Sequence, residues 1–322
     1  MTLRASACGK IILLGEHAAV YGFPAIALPV RSLRATAELA EGSGPLRIDA
    51  PDIRLSAALT DLPADHPLAF CVRHACEGLA VPPPGGRLTV TSDIPVASGL
   101  GSGAAVSTAV VRVLALAAGR TLRADEVSTV VYDVERIHHG TPSGVDNTVI
   151  AFERPVFFVR GMEPEIVAAG APMMFLIADS GVRSPTREAV DGVRERRGAD
   201  PDRYDGLFRR IGALAETGRA ELERGNREAL GRSMNECHAL LEAVGVGTAG
   251  LSRLASAARS AGALGAKLSG AGLGGNVIAL AEGGKQAAVE SAFRESGAVA
   301  VYRMDLDAGT IPPPPMKNHS GA

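Results

Sequence analysis

A chain of 322 residues, 46% of them apolar, with 33 basic against 35 acidic side chains and a formal net charge of −2, has the length for roughly two domains and apolar residues for an ample core. The even mixture of charges, with no basic run flanked by aromatics, argues against nucleic acid or an anionic membrane surface as a partner. Trp is absent and only 4% of residues are aromatic, which weakens any function built on base stacking.

Arg4, Lys10 and Glu16 interrupt the start, so no signal peptide is expected. The longest apolar run, 104–118, carries Arg112 and is too short to span a bilayer. The four cysteines, Cys8, Cys71, Cys76 and Cys237, form no C-x-x-C and read as free thiols of a reducing compartment, so a cytoplasmic location is expected. Cys71, His74 and Cys76 lack a usual zinc spacing, and packing is their expected role.

In chain order, residues 2–40 read as short strands between Gly/Pro turns. Ile11–Leu14 is followed by Gly15-Glu16-His17 and Val20-Tyr21-Gly22, then by Ala25–Val30 and Leu33–Leu39. Arg47-Ile48-Asp49 and Ile53-Arg54-Leu55 read as short edge strands. His66–Leu79 reads as a helix, ended by the Pro/Gly run at 82–86. A strand over Arg87–Asp93 leads into a Gly/Ser loop at 95–105, and a helix over Ala104–Ala118 leads out of it. Asp125–His139 is amphipathic, with Val127, Val130, Val131, Val134 and Ile137 on its apolar face. Gly140 suits its end, and His138 and His139 suit partners of its dipole. The turn-rich Thr141–Asn147 then feeds expected strands at Thr148–Phe152 and Val156–Val159. A composition break falls at 161–172. Beyond it come a buried strand, Met173–Ala178, helical runs near 185–197, 203–224, 226–243 and 248–261, a strand pair flanking 270–275, a helix at 285–295 and a strand at 298–304. The pattern is α+β with segregated helices. The Pro-rich tail, 309–322, is expected to be disordered.

The Gly/Ser loop, Pro95-Val96-Ala97-Ser98-Gly99-Leu100-Gly101-Ser102-Gly103-Ala104-Ala105, carries the most chemistry. Gly99, Gly101 and Gly103 let the backbone turn with positive φ and approach a ligand closely. Successive N–H groups there form an anion-binding concavity, to which the following helix adds its N-terminus. A polyphosphate is the natural guest, with the Ser98 and Ser102 hydroxyls offered to phosphate or Mg²⁺. The competing reading is a flexible surface turn. The loop matches neither G-x-x-x-x-G-K-[ST] nor G-x-G-x-x-G. A second Gly-rich stretch, Lys267-Leu268-Ser269-Gly270-Ala271-Gly272-Leu273-Gly274-Gly275, joins two strand-like runs. Asp146 follows a tight turn, where a lone Asp is most often a turn residue.

Taken together, Gly9-Lys10 through Gly22, the two glycine loops and Asp146 resemble the GHMP small-molecule kinases over nearly the whole chain. The first segment is most similar to that of the mevalonate kinases. The resemblance implies a two-domain α+β fold, with an N-terminal domain like ribosomal protein S5 domain 2 over 1–165 and a ferredoxin-like C-terminal domain over 166–308. It implies ATP-dependent phosphorylation of the 5-hydroxyl of mevalonate, with ATP and Mg²⁺ as cofactors and a homodimer as a frequent assembly. The resemblance makes Asp146 the catalytic base and Lys10 its cationic partner. It assigns the nucleotide to Pro95, Ala97, Ser98, Gly99, Leu100, Gly101, Ser102, Gly103, Ala104, Ser269, Gly270, Ala271 and Gly272. Mg²⁺ falls to Ser102 and Glu135, and the acceptor to Glu16, His17, Asp146 and Thr186. The chain departs from the family at Gly103, where a second serine often stands. Another isoprenoid-precursor or sugar kinase of this superfamily, and a catalytically silent ligand-binding regulator, remain the alternatives.

Overall fold

The computed structural model describes residues 1–139, 142–183 and 186–309, the side chains of His138, His139 and Thr186 excepted. Gly140 and the tail from Thr310 onward lie outside the described residues.

Period-two alternation builds the first sheet. In β1 (Thr2–Leu14) and β2 (Ala25–Glu41) the outer halves alternate small apolar residues with Ser, Thr, Arg and Glu, whereas the inner halves are almost continuously buried. The two run antiparallel from Thr2↔Ala40 to Leu14↔Ile26, with register shifts at Cys8/Gly9 and Ile12/Leu14. The short strands expected over residues 2–40 are therefore two long ones. The polar residues that look like interruptions are the outward half of the pleat.

β3 (Arg47–Ala50) and β4 (Leu55–Ala58) form the outer pair. The strand expected at Ile53 begins only at Leu55, because a short 3₁₀ turn covers 51–53 and Arg54 is left-handed at φ 55°. After α1 (Pro67–Leu79), β5 (Gly86–Ser92) joins β3 in parallel and β2 antiparallel. α2 (Ser102–Ala117) packs on β1 and β2, and α3 (Ala124–His139) packs on α2.

Residues 145–152 correct the sequence reading. The expected strand Thr148–Phe152 is a helix, α4 (Val145–Phe152). Gly144, at φ 94°, starts it, and the Thr148 hydroxyl donates to the Gly144 carbonyl at 2.7 Å. A run of Val, Ile, Ala and Phe is too short for periodicity to separate a strand from a buried helix. β6 (Val156–Phe158) and β7 (Glu165–Ile166) complete a sheet of order β4-β3-β5-β2-β6-β7, with β1 on the other edge of β2.

The second sheet holds β8 (Met173–Asp179), β9 (Gly265–Ser269), β10 (Asn276–Ala281) and β11 (Ala300–Leu306) in the order β11-β8-β10-β9, with every neighbouring pair antiparallel. This is the ferredoxin-like strand order. Between β8 and β9 come α5 (Thr186–Ala199), α6 (Pro201–Arg224), α7 (Arg227–Val244) and α8 (Ala249–Ser260), and α9 (Gln286–Glu295) precedes β11. Strong local signals bound these helices. Asp200, Asn226 and Thr248 accept the N-cap hydrogen bonds of α6, α7 and α8, and left-handed Gly225 and Gly245 end α6 and α7. Among the described residues no helix is long and apolar enough to cross a membrane.

The two sheets meet along β1 and β9. The Ser269 hydroxyl accepts from the Ile12 N–H and donates to the Ile12 carbonyl, each at 3.0 Å. Ser32 Oγ donates to the Arg303 carbonyl at 2.9 Å as a second tie.

Gly231 of α7 lies directly on the backbone entering β9. A Cβ at Gly231 would stand 2.5 Å from the Leu264 carbonyl oxygen, and one at Gly265 would stand 2.3 Å from that of Gly231. Gly231→Ala is expected to destabilise the protein by about 1–3 kcal/mol through overpacking, against the roughly 1 kcal/mol that Ala gains in an exposed helix. Urea unfolding measures this, and an unchanged or raised midpoint would show that α7 can move back.

Candidate active site

Lys10 lies in β1 just after its first register shift, with its N–H bonded to the Leu100 carbonyl at 2.9 Å. Its ammonium reaches Asp146 Oδ1 at 2.9 Å. Lys10 is buried, while the Asp146 side chain is 33% exposed, so the carboxylate remains open to an incoming molecule. Asp146 stands in the first turn of α4, where the helix dipole favours a negative charge. The neighbouring Asn147 amide donates to the Ser128 carbonyl and hydroxyl at 3.1 and 2.8 Å and fixes α4 to α3. Lys10 and Asp146, far apart in sequence, are therefore held as a pair.

The Lys10 stem passes directly over Gly101. A Cβ there would lie 2.9 Å from Lys10 Cγ and 2.8 Å from Ile150 Cδ1. The glycine that turns the loop, at φ 77°, is also the one that leaves room for the lysine.

Glu135 projects from α3 towards the start of α2. A Cβ on Gly103 would be 3.4 Å from Glu135 Oε1. Burial and the nearby Asp146 push the Glu135 carboxyl up to about 7, and Lys10 offsets part of that. A cation would relieve the field that disfavours its ionised form. Glu135 and the Ser102 hydroxyl are hard oxygen donors that fit Mg²⁺, which takes few protein ligands and keeps waters.

The two glycine loops face each other. Gly99, at φ 86°, has only Asn276 Nδ2 and the Ser269 carbonyl near the position of a Cβ, both at 3.9 Å, and Gly270 looks back at Gly99 from the same distance. Ser102, Gly103 and Ala104 carry N–H groups ahead of the first intrahelical bond, Ala105 N–H to the Gly101 carbonyl at 2.9 Å. These groups are an anion cradle of the kind a polyphosphate fills. Gly99, Gly270 and Ala271 all border the cavity.

Other residues expected at the nucleotide also have structural tasks. Ser98 is buried, and its hydroxyl donates to the Pro95 carbonyl at 2.8 Å, closing the loop on itself. Leu100 is core, and only its carbonyl serves the site, through Lys10. Ala97 supports the turn at φ 55°. The Ser269 hydroxyl is taken by Ile12. Gly272 packs against Val246 and accepts from the Gly247 N–H at 2.8 Å, on the side towards α7 and α8.

The cavity beside Asp146 is bordered by Lys10, Ile12, Glu16, His17, Glu135 and, from α5, by Arg187, Val190, Asp191 and Arg194. Thr186, expected here, begins α5, and its side chain lies outside the described residues. Glu16 borders the cavity, but its carboxylate is paired with Lys267. Burial pushes that carboxyl up and Lys267 counteracts it. Sequence reasoning missed the α5 arginines. Their signal was available as Arg187, Val190, Asp191 and Arg194 at helical spacing on one face. Asp191 accepts from Arg194 at 2.8 Å and lies 3.7 Å from Arg187. Lys267 and Asn276 were also missed. Asn276 donates to the Ser98 carbonyl at 2.6 Å.

His17 Nε2 faces the Ala271 carbonyl at 3.1 Å, so the neutral ring donates from that nitrogen. Burial lowers both His17 and His238 to about 4. An unfolded chain protonates these imidazoles near 6.5 while the folded one does not, so these two groups withdraw stability as pH falls from 6.5 towards 4. Imidazole NMR between pH 8 and 5 should show neither ring titrating, and a midpoint above 6 at either would contradict their burial as neutral groups.

Gly101→Ala should keep the fold and reduce kcat more than about tenfold, because the added methyl displaces the Lys10 stem from its line to Asp146. Steady-state kinetics beside a circular dichroism spectrum test this, and wild-type kcat in the folded variant would remove the steric link.

Comparison with known proteins points the same way. The model described as GHMP kinases N terminal domain matches residues 67–154, and the one described as GHMP kinases C terminal matches residues 219–299. The mevalonate kinase of Thermococcus sibiricus is 35% identical, covering 94% of this chain and 95% of its own. Among solved structures, L. major mevalonate kinase in complex with R-mevalonate superposes with a TM-score of 0.82 at 24% identity, over 96% of this chain and 97% of its own. The phosphomevalonate kinase of Streptococcus pneumoniae superposes with a TM-score of 0.80 at 19% identity, over 94% of this chain and 99% of its own, so the fold alone does not choose the acceptor. With both family models matched in chain order and a relative aligned over nearly its full length, this chain belongs to the GHMP kinase family.

Proposed function

We propose that this chain is a mevalonate kinase, transferring the γ-phosphoryl group of ATP to the 5-hydroxyl of mevalonate. The observation that carries the reading is the Lys10–Asp146 pair, 2.9 Å apart at a cavity bordered by β1 and by the loop that follows β9, in a chain 35% identical to a mevalonate kinase over nearly its full length.

The chain's own groups divide the work. Asp146 Oδ accepts the proton of the acceptor hydroxyl as the oxygen attacks. Lys10 holds that carboxylate and places positive charge where negative charge develops. Phosphoryl transfer passes through a loose transition state, so positioning and electrostatics supply most of the acceleration. The N–H groups at the start of α2 and around Gly99 receive the phosphates. Glu135 and Ser102 would hold Mg²⁺, which supplies charge neutralisation across the phosphate oxygens when bound. Arg187 and Arg194 give the far side of the cavity the positive charge that a hydroxy acid needs and a neutral sugar does not. We assign the assembly as a homodimer from the family resemblance.

An ADP-release assay offering mevalonate, phosphomevalonate, galactose and homoserine should show mevalonate with the highest kcat/KM. A higher value for phosphomevalonate or a sugar would leave only the family assignment standing. Asp146→Asn should lower kcat by about 10²–10⁴-fold with little change in ATP affinity. Lys10→Met should also lower kcat, and the double variant should be hardly worse than Asp146→Asn, since groups acting as a unit lose their effects together. Additive losses would contradict mutual positioning.

A further inference from the structure

Lys267 has no role in the chemistry described above, yet it is 0% exposed on β9 of the second sheet. Its ammonium lies against Glu16 Oε1 and donates to the Leu268 carbonyl at 2.6 Å. Glu16 belongs to the turn that leaves β1 of the first sheet and is itself buried. A buried ion pair thus spans the two sheets beside the cavity, where removing one partner leaves an uncompensated charge.

The turn that it grips is an unusual one. Ala18 N–H donates to the Glu16 carbonyl at 2.7 Å, closing a three-residue ring around His17, which adopts φ 61° and ψ −45°. This is the rare, strained form of the γ-turn. Such a conformation persists only where its surroundings over-determine it. Here one contact with the second sheet and one with its β9–β10 loop do so: the Glu16 side chain on Lys267, and the His17 ring on the Ala271 carbonyl at 3.1 Å. The turn leads directly into the 3₁₀ segment Ala18–Tyr21, and Glu16, His17, Ala19 and Val20 together form one wall of the cavity.

We propose that Lys267 is a positioning residue for the acceptor. Through Glu16 it holds the strained turn and so sets the distance between that wall and Asp146. The inference rests on the reading of this cavity as the mevalonate site. It makes acceptor binding depend on a side chain of the second sheet that does not itself border the cavity.

The test separates positioning from simple stabilisation. Lys267→Met alone strands the Glu16 carboxylate, so the informative variant is Lys267→Met with Glu16→Gln, which removes both charges. Glu16→Asp is its companion, since it keeps the ion pair but shortens the arm by one methylene and pulls the turn towards β9. Folding is checked by circular dichroism and thermal melting, and KM and kcat are measured for mevalonate and for ATP. Positioning predicts a mevalonate KM raised between about tenfold and a hundredfold in whichever of the two variants is folded, with smaller changes in kcat and in ATP KM. Lys267→Arg, which keeps the charge, should recover part of the loss. Wild-type mevalonate KM in either folded variant would overturn the proposal and leave the pair as a fold stabiliser. A wild-type protein that does not phosphorylate mevalonate would instead refute the functional reading. The same variants would then be compared on the acceptor it does use.

Discussion

Everything in the site depends on one seam. β1 and β9 are not partners in a sheet, yet the Ser269 hydroxyl makes both hydrogen bonds to the Ile12 backbone that a neighbouring strand would make. Two residues before Ile12 is Lys10, and two before Ser269 is Lys267. Because side chains alternate along a strand, that register turns both lysines into the region between the sheets. One meets Asp146 and the other meets Glu16. A shift of one residue at the seam would reverse both, so two hydroxyl bonds govern where two buried cations lie.

The same seam explains why polar groups are buried here. Lys10, Glu16, His17, Ser98, Glu135, Lys267, Ser269 and Asn276 are all buried, and together they surround the meeting point of the two glycine loops. Buried polar groups are costly unless each finds a partner. Several of these find their partner across the seam: Glu16 with Lys267, Asn276 with the Ser98 carbonyl, His17 with that of Ala271, and Ser269 with the Ile12 backbone. The glycines are what permit the close approach. A side chain on Gly275 would stand 2.9 Å from the Ser98 carbonyl oxygen, and one on Gly101 would strike the Lys10 stem. The loops are therefore rigid parts of the joint as well as a surface for phosphate.

How much of this was legible in the sequence follows from the range of each signal. The loop around Gly99–Gly103 and the turn before Asp146 are written in consecutive residues, and the expected helical starts at 203, 226 and 248 fall within two residues of the starts of α6, α7 and α8. Residues 148–152 read as a strand, because the four apolar residues Val149–Phe152 carry no decisive period and what makes them helical is Gly144 and packing on α3. Lys267 opens the second glycine-rich stretch, where no neighbour in sequence marks a partner for it, and only tertiary contact shows it buried on a glutamate. Ser98 and Ser269 look like hydroxyls offered to phosphate, and nothing local tells that their bonds go to Pro95 and Ile12. Side-chain chemistry was legible in kind, and its partner became visible only with the fold.

The charges around Asp146 set the order in which the site becomes complete. Lys10 lies against Asp146, yet at Glu135 burial and Asp146 together outweigh the lysine and push its carboxyl up to about 7. Two acids thus draw on the same lysine, and the one in contact with it holds the advantage. On the proposed assignment, a divalent cation held by Glu135 would reverse the local field, since a bound metal is the largest charge in such a site. It would favour the ionised form of Glu135 and lessen the competition for Lys10. Because the chain offers a metal few ligands, such a cation would draw on phosphate oxygens for the rest. Metal, nucleotide and the ionised Glu135 would then stabilise one another. The Lys10–Asp146 pair, fixed by the seam and by α4, needs no such assembly to be in place.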